Sequence, residues 1–332
     1  MLFEQLDFQN KSIRAYFIDK GSLGDDDYSE LQEFLYSLVT IFEYSDAGVS
    51  LFELIQNDWK LFSSNDACQK VLNEIIQSHN PVFEKNGIKD STTPVTYKSS
   101  ITDCVAVWEV LKEDIKKYHR FTTDLKRLET AGWNKILDNR FLLNPDGSFY
   151  RARIHYKKSD SFGVNNMGAP EREDCKSGRA NPEGIPFLYL SEEPKTTFYE
   201  TKVIKHDVVT VGEFKIAGTE PLYVEDLTDI DLDNIDLLDE DVVTLAKRKL
   251  LVRALSQDMS HPMRRFDSPV EYVPTQFICE YVQLTQSVSG IRFSSSVYPG
   301  GTNVVIFNPK MMNCVDVKDY NIGDLDIVET AI

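Results

Sequence analysis

At Asn144-Pro145-Asp146-Gly147 the spacing of apolar residues changes its period. Before that turn signal, Leu31, Phe34, Leu35, Leu38 and Phe42 recur at helical intervals, which predicts a helix over 28–42 with one apolar face. Further helices are predicted over 51–62, 67–79 and 121–137, the last weakened by Gly132. Over 103–120, Val105, Trp108, Leu111 and Ile115 form an apolar stripe, with Glu109, Lys112, Glu113 and Lys116 as its charged face. Residues 86–100 are polar, contain Pro94, and read as a loop. After the turn, Phe149, Arg151, Arg153 and His155 alternate as a strand does. The expected class is therefore α+β, with a mainly helical domain over 1–144 and a strand-containing domain over 145–332.

Within the second part, short strands are expected at 186–190, 203–217, 222–224, 290–294 and 303–307, and helices at 193–201, 241–256 and 270–285. Residues 160–184 hold Gly, Asn, Pro and charges, and read as a long loop of the kind that is usually functional or disordered. From Glu220 to Asp241 there are ten acids and no base. That run lacks the glycine and terminal glutamate of a calcium loop and reads as a solvated surface segment.

Charge and composition exclude several classes. With 36 basic against 53 acidic residues the net charge is −17, so a nucleic acid is not the expected partner. Cys68, Cys104, Cys175, Cys279 and Cys314 are odd in number, scattered and without a Cys-x-x-Cys pair. They read as reduced thiols of a cytoplasmic chain, with neither a disulfide frame nor a zinc ribbon. Apolar stretches such as 34–42 are too short to span a bilayer, so no membrane partner is expected. The first residues carry Glu4 and Asp7 and lack the apolar run of a secretion signal. No Gly-x-Gly-x-x-Gly follows a strand, and there is no Walker A loop, His-Glu-x-x-His or Gly-x-Ser-x-Gly. His79, His119, His155, His206 and His261 have no metal-ligand spacing, so no metal is expected.

Eight strings in the second part do carry information: Phe149-Tyr-Arg-Ala-Arg153, Asn166-Met-Gly-Ala-Pro170, Gly178-Arg-Ala-Asn-Pro182, Gly184-Ile-Pro-Phe-Leu-Tyr-Leu190, Thr196-Thr-Phe-Tyr-Glu200, Tyr272-Val-Pro-Thr-Gln276 with Glu280-Tyr281, Gly290-Ile-Arg-Phe-Ser-Ser-Ser296, and Gly300-Gly-Thr-Asn303. In order and spacing they resemble the RES domain, named for Arg, Glu and Ser, over roughly 149–309, with a weaker likeness reaching back to 108–121. The resemblance implies a fold similar to ADP-ribosyltransferase toxins, with a split β core and a cleft that holds NAD. It implies an intracellular toxin or defence effector that consumes NAD as its substrate by cleaving the nicotinamide–ribose bond. Water, phosphate or a protein remain open as acceptors. Many such domains are encoded beside a helix-turn-helix antitoxin of the Xre type that blocks the cleft.

Residue by residue, the resemblance places Glu200 as the carboxylate facing the ribose, where an oxocarbenium-like charge develops during glycosidic cleavage. An ordinary helix-surface carboxylate is the plain alternative. Arg151 matches the family arginine, and its planar fork suits a pyrophosphate. Arg153, two residues on and on the same side of a strand, is the second choice. Tyr189 matches the tyrosine that packs on nicotinamide or ribose, although a tyrosine in a short apolar strand is by default a core residue. Ser295 matches the family serine, with Ser294 and Ser296 open because the register is ambiguous by one. Arg179 is a second candidate phosphate contact on a loop, and Asn303 either reaches the substrate or caps a loop. One departure is Pro170 followed by Glu171 rather than by a second proline. Another is the N-terminal region, which has no counterpart in the resemblance and is read as a brake, a sensor or a homo-oligomer interface. Two further readings stand beside the NAD-cleaving one: a protein ADP-ribosyltransferase, and a non-catalytic interaction module on the same fold.

Overall fold

The structure is a computed structural model that describes residues 25–155, 162–228, 230, 241–261 and 268–323. Most of the acidic run, at 229 and 231–240, and the first residues of the chain lie outside the described residues. By compactness the chain forms two units, Met1–Val107 with Ile230–Leu250, and Trp108–Asp229 with Leu251–Ile332. This groups residues differently from a boundary at 144, because 108–144 fall with the sheet and 230–250 with the helices.

The first unit contains α1 (Asp25–Thr40), β1 (Phe42–Ser50), α2 (Leu51–Asp58), α3 (Asn65–Ser78), α4 (Asn80–Lys85), β2 (Pro94–Tyr97) and the start of α5 (Ser99–Lys117). Helix α3 begins at Ser64, whose hydroxyl accepts from the Ala67 amide at 3.2 Å. Phe42, Trp59, Phe62 and Phe83 are fully buried and form much of its core. Two expectations are corrected here. Phe42 ends no helix but opens β1, and the segment expected as a loop over 86–100 supplies β2, which pairs antiparallel with β1. The alternation in both strands is masked by polar residues, since most of β1 faces solvent.

In the second unit, α6 (Lys126–Thr130) and α7 (Trp133–Ile136) replace the single helix expected over 121–137. Gly132 lies between them at φ 75°, a left-handed conformation that breaks the helix. There follow β3 (Arg140–Leu142), β4 (Phe149–Ile154), β5 (Leu188–Ser191), α8 (Pro194–Glu200), β6 (Val208–Ile216), β7 (Tyr223–Asp226), α9 (Val242–Met259), α10 (Val273–Thr285), β8 (Gly290–Ser294), β9 (Thr302–Ile306) and β10 (Met312–Asn321). Helices α5 and α9 run through the division between the units. The turn at 144–147 forms as expected, with the Gly147 amide bonding the Asn144 carbonyl at 2.9 Å.

Eight strands form one sheet in the order β10-β6-β4-β5-β9-β8-β7-β3. Every pair is antiparallel except β7 with β8. The α+β class is therefore the observed one. The ladder is uneven: β4 and β6 pair over Phe149–Ile154, whereas β4 and β5 share only the pair Tyr150 with Ser191. Past that pair no ladder joins the two strands, and the sheet is split into two halves at this seam. Apolar packing bridges the seam on one side and fills the β4–β6 half on the other. Phe149, Met167, Leu188, Phe214, Val304 and Ile306, drawn from both halves, make one core, and Ala152, Val209 and Val211 with Phe198 and Val203 make another.

Candidate active site

A cleft of about 400 Å³ opens at the seam, between Arg151–Ala152 on β4 and Tyr189–Leu190 on β5. That volume lies within the range of small-molecule sites. Helix α8 follows β5 directly and carries Glu200 in its last turn. Its C-terminus closes with the Lys202 amide bonding the Tyr199 carbonyl at 3.0 Å and the Val203 amide bonding the Phe198 carbonyl at 3.3 Å. Phe198 and Val203 meanwhile pack against Ala152, Val209 and Val211, which anchors the helix to the β4–β6 half of the sheet.

The Glu200 carboxylate is held from the other half. Its Oε1 accepts from Ser295 Oγ at 2.7 Å and from Asn303 Nδ2 at 2.6 Å. Ser295 Oγ also accepts from the amides of Tyr298, at 3.1 Å, and Val297, at 3.3 Å, so its proton is committed to Glu200. Ser191 Oγ donates to Asn303 Oδ1 at 2.7 Å, which turns the amide nitrogen toward the carboxylate. Both bonds to Glu200 land on one oxygen, and among the described residues nothing donates to Oε2. The turn over 295–301 is tied to α8 by a stack of Tyr199 on Tyr298, with centroids 4.7 Å apart. It is also tied at Gly301, where a Cβ would come within 2.7 Å of Thr196 Oγ1.

The same cleft is lined by two arginines. Arg151 is half-buried, and among the described residues its Nη1 has no hydrogen-bond acceptor. Burial, with the charge of Arg153 beside it, pushes its guanidinium down to about 10, so it stays charged at neutral pH. Arg179 is fixed by donating Nη1 to the Met259 carbonyl and, at 3.4 Å, Nη2 to Ser296 Oγ. The loop that carries it is pinned from below. Tyr189 donates its hydroxyl to Asn181 Oδ1 at 2.7 Å and accepts from the Ala180 amide at 2.9 Å. Gln276 Nε2 donates to the Gly178 and Asn181 carbonyls at 2.8 and 3.0 Å, and Thr275 Oγ1 to the Arg179 carbonyl at 2.6 Å. Burial pushes the Tyr189 hydroxyl up, so the residue offers the cleft its ring and not a proton.

The RES domain model matches residues 148–325, slightly more than half of the chain. The chain belongs to the RES domain family. A search of the curated proteins finds no match to it.

In this RES domain Arg151, Arg179, Tyr189, Glu200 and Asn303 line one cleft. Ser295 reaches the site through its bond to Glu200, and Ser296 lines the wall beside Arg179. Besides Ser295, which only bonds Glu200, two sequence candidates do not line the cleft. Arg153 donates Nη2 to the Gly168 carbonyl at 2.9 Å and lies over the Phe162 ring, because two residues of strand carry it about 7 Å beyond Arg151. Ser294 belongs to β8, and its carbonyl accepts from Ser260 Oγ at 2.8 Å. Sequence reasoning missed Ser191, Lys202 and Tyr272, all of which line the cleft. Tyr272 stands in a matching string without a role, whereas Ser191 and Lys202 sit one and two residues beyond theirs. Among the described residues no group of three or more His, Cys, Asp or Glu side chains converges as a metal site, and no helix is long and apolar enough to cross a membrane.

Proposed function

We propose that this RES domain cleaves the nicotinamide–ribose bond of NAD. The observation that carries the reading is that one cleft holds both a guanidinium whose Nη1 has no acceptor and a carboxylate whose Oε2 has no donor among the described residues. Arg151 suits the pyrophosphate, the Tyr189 ring supplies an apolar platform, and Glu200 faces the ribose. As the C1′–N bond breaks, its electron pair leaves with the neutral nicotinamide and positive charge builds at C1′ and the ring oxygen. A carboxylate already oriented by Ser295 and Asn303 stabilises that charge without reorganising. A water oxygen then bonds C1′ and releases a proton, giving ADP-ribose. Inorganic phosphate in place of water gives ADP-ribose 1-phosphate.

In a cell such an activity makes the protein an NAD-depleting toxin or defence effector, of a kind that an Xre-type antitoxin would hold in check. The test is direct. The protein is incubated with NAD, with and without phosphate, and nicotinamide, ADP-ribose and its phosphate ester are separated by chromatography. Stoichiometric nicotinamide release is the expected result. Intact NAD after prolonged incubation, in a sample that binds ADP-ribose, refutes the reading.

A further inference from the structure

Lys202 is the one lysine lining the cleft, two residues beyond Glu200, and it is exposed. Among the described residues no carboxylate pairs with it. Its backbone sits at φ 54°, in the left-handed region, at the position just past α8 that glycine normally fills. The two bonds that close the helix, Lys202 N to Tyr199 O and Val203 N to Phe198 O, need that conformation but need no side chain. Glycine would therefore serve the helix end with less strain. A lysine elsewhere in the last turn would serve the helix dipole equally without it. Lys60 takes the same left-handed position after α2, at φ 51°, so the backbone alone assigns no role; what sets Lys202 apart is that it lines the cleft that also holds Glu200.

We propose that Lys202 is a phosphate-holding residue of this cleft, a role that rests on the NAD-cleaving reading for its context but not for its test. The ligand chemistry is a phosphate oxyanion on an ammonium group. Its source is either inorganic phosphate poised to attack C1′ or a phosphate of the dinucleotide itself. In the first case a phosphate oxygen forms the C1′–O bond as the C1′–N bond breaks, the electron pair leaves with nicotinamide, and the phosphate gives up its proton to solvent.

The experiment uses the full chain and two variants, Lys202→Gly and Lys202→Arg. Binding of inorganic phosphate and of ADP-ribose is measured by calorimetry and by the rise in Tm that each ligand causes, so no turnover is needed. Without ligand, Lys202→Gly should melt about 2–4 °C above the parent, because strain is removed. It should nevertheless bind phosphate or ADP-ribose roughly tenfold more weakly, the loss expected of one charge-assisted contact, and Lys202→Arg should recover most of that. A loss confined to phosphate assigns Lys202 to the acceptor, and the ratio of phosphate ester to ADP-ribose should then fall. A loss confined to ADP-ribose assigns it to the dinucleotide. Unchanged affinity for both ligands, or a glycine variant that melts below the parent, overturns the proposal. A parent that binds these ligands through Lys202 yet leaves NAD intact would sink the catalytic reading alone.

Discussion

Replacing Arg151 by methionine should make the empty protein more stable and close to useless. The guanidinium is half-buried on β4, and its Nη1 lacks an acceptor among the described residues. Burial and Arg153 bring it from its ordinary value to about 10. At 1.36 kcal/mol per decade, and discounted for the part of the group that water still reaches, that is about 2–3 kcal/mol against the charged form in the fold. Methionine keeps an unbranched apolar stem and drops the charge, so it avoids that cost. In a unit of this size the gain should appear as a Tm higher by roughly 4–10 °C. The difference should be flat at neutral pH, where the arginine is charged in the folded and unfolded chains alike. Above about pH 10 it should shrink, because the folded protein then gives up a proton that the unfolded chain still holds. Saturating ADP-ribose should invert the order: at one hundred times Kd it adds about 2.7 kcal/mol to the parent and little to the variant. Thermal unfolding with and without ADP-ribose, over a pH series, measures all of this. An Arg151→Met protein that melts below the parent without ligand would show that the arginine serves the fold, and would remove the basis for assigning it to a phosphate.

The other expectations concern the carboxylate and its supports. Glu200→Gln should lower kcat roughly 10²–10³-fold with little change in KM, since the charge matters most when C1′ is cationic; an unaffected kcat in steady-state nicotinamide release refutes this. Asn303→Ala strips one donor from Glu200 and leaves the buried Ser191 hydroxyl without its acceptor, so it should cost about 1–3 kcal/mol of stability; adding Ser191→Ala should restore part of the stability but none of the kcat, a pattern that denaturant melts and rates read together. Tyr189→Phe keeps the ring but frees the Gly178–Pro182 loop, and should lower Tm by a few degrees while leaving the shape of the pH–rate profile unchanged.

Much of the site was legible because short strings keep the order of its parts: Arg151, Tyr189, Glu200 and Ser295 are found from sequence and meet at one seam. Their mutual bonds were not legible. Ser295 and Asn303 reach Glu200 across 95 and 103 residues of chain, and no local pattern encodes a contact of that span. The choice between Ser294, Ser295 and Ser296 also needed the fold, since β8 ends at Ser294 and the turn that follows, not a strand alternation, decides which hydroxyl meets Glu200. The long edge strand β10 went unread because its solvent-facing positions are polar and its ladder is interrupted between Cys314 and Asp316. Lys202 was hidden for the opposite reason: a single lysine after a helix carries no signal until its backbone angle is known.

Helix α8 is the keystone of the split sheet, and that makes a forecast about chain length. It touches the β4–β6 half through Phe198, and Ser295 and Asn303, from the other half, through Glu200. Adding or deleting one residue within its seven would swing Glu200 by about 100° around the helix axis, away from both Ser295 and Asn303. Equal changes in length in the turn around Arg172–Asp174, before the pinned Gly178–Pro182 loop, alter no such phase. Relatives of this chain should therefore vary more in length there than between Ser191 and Val203.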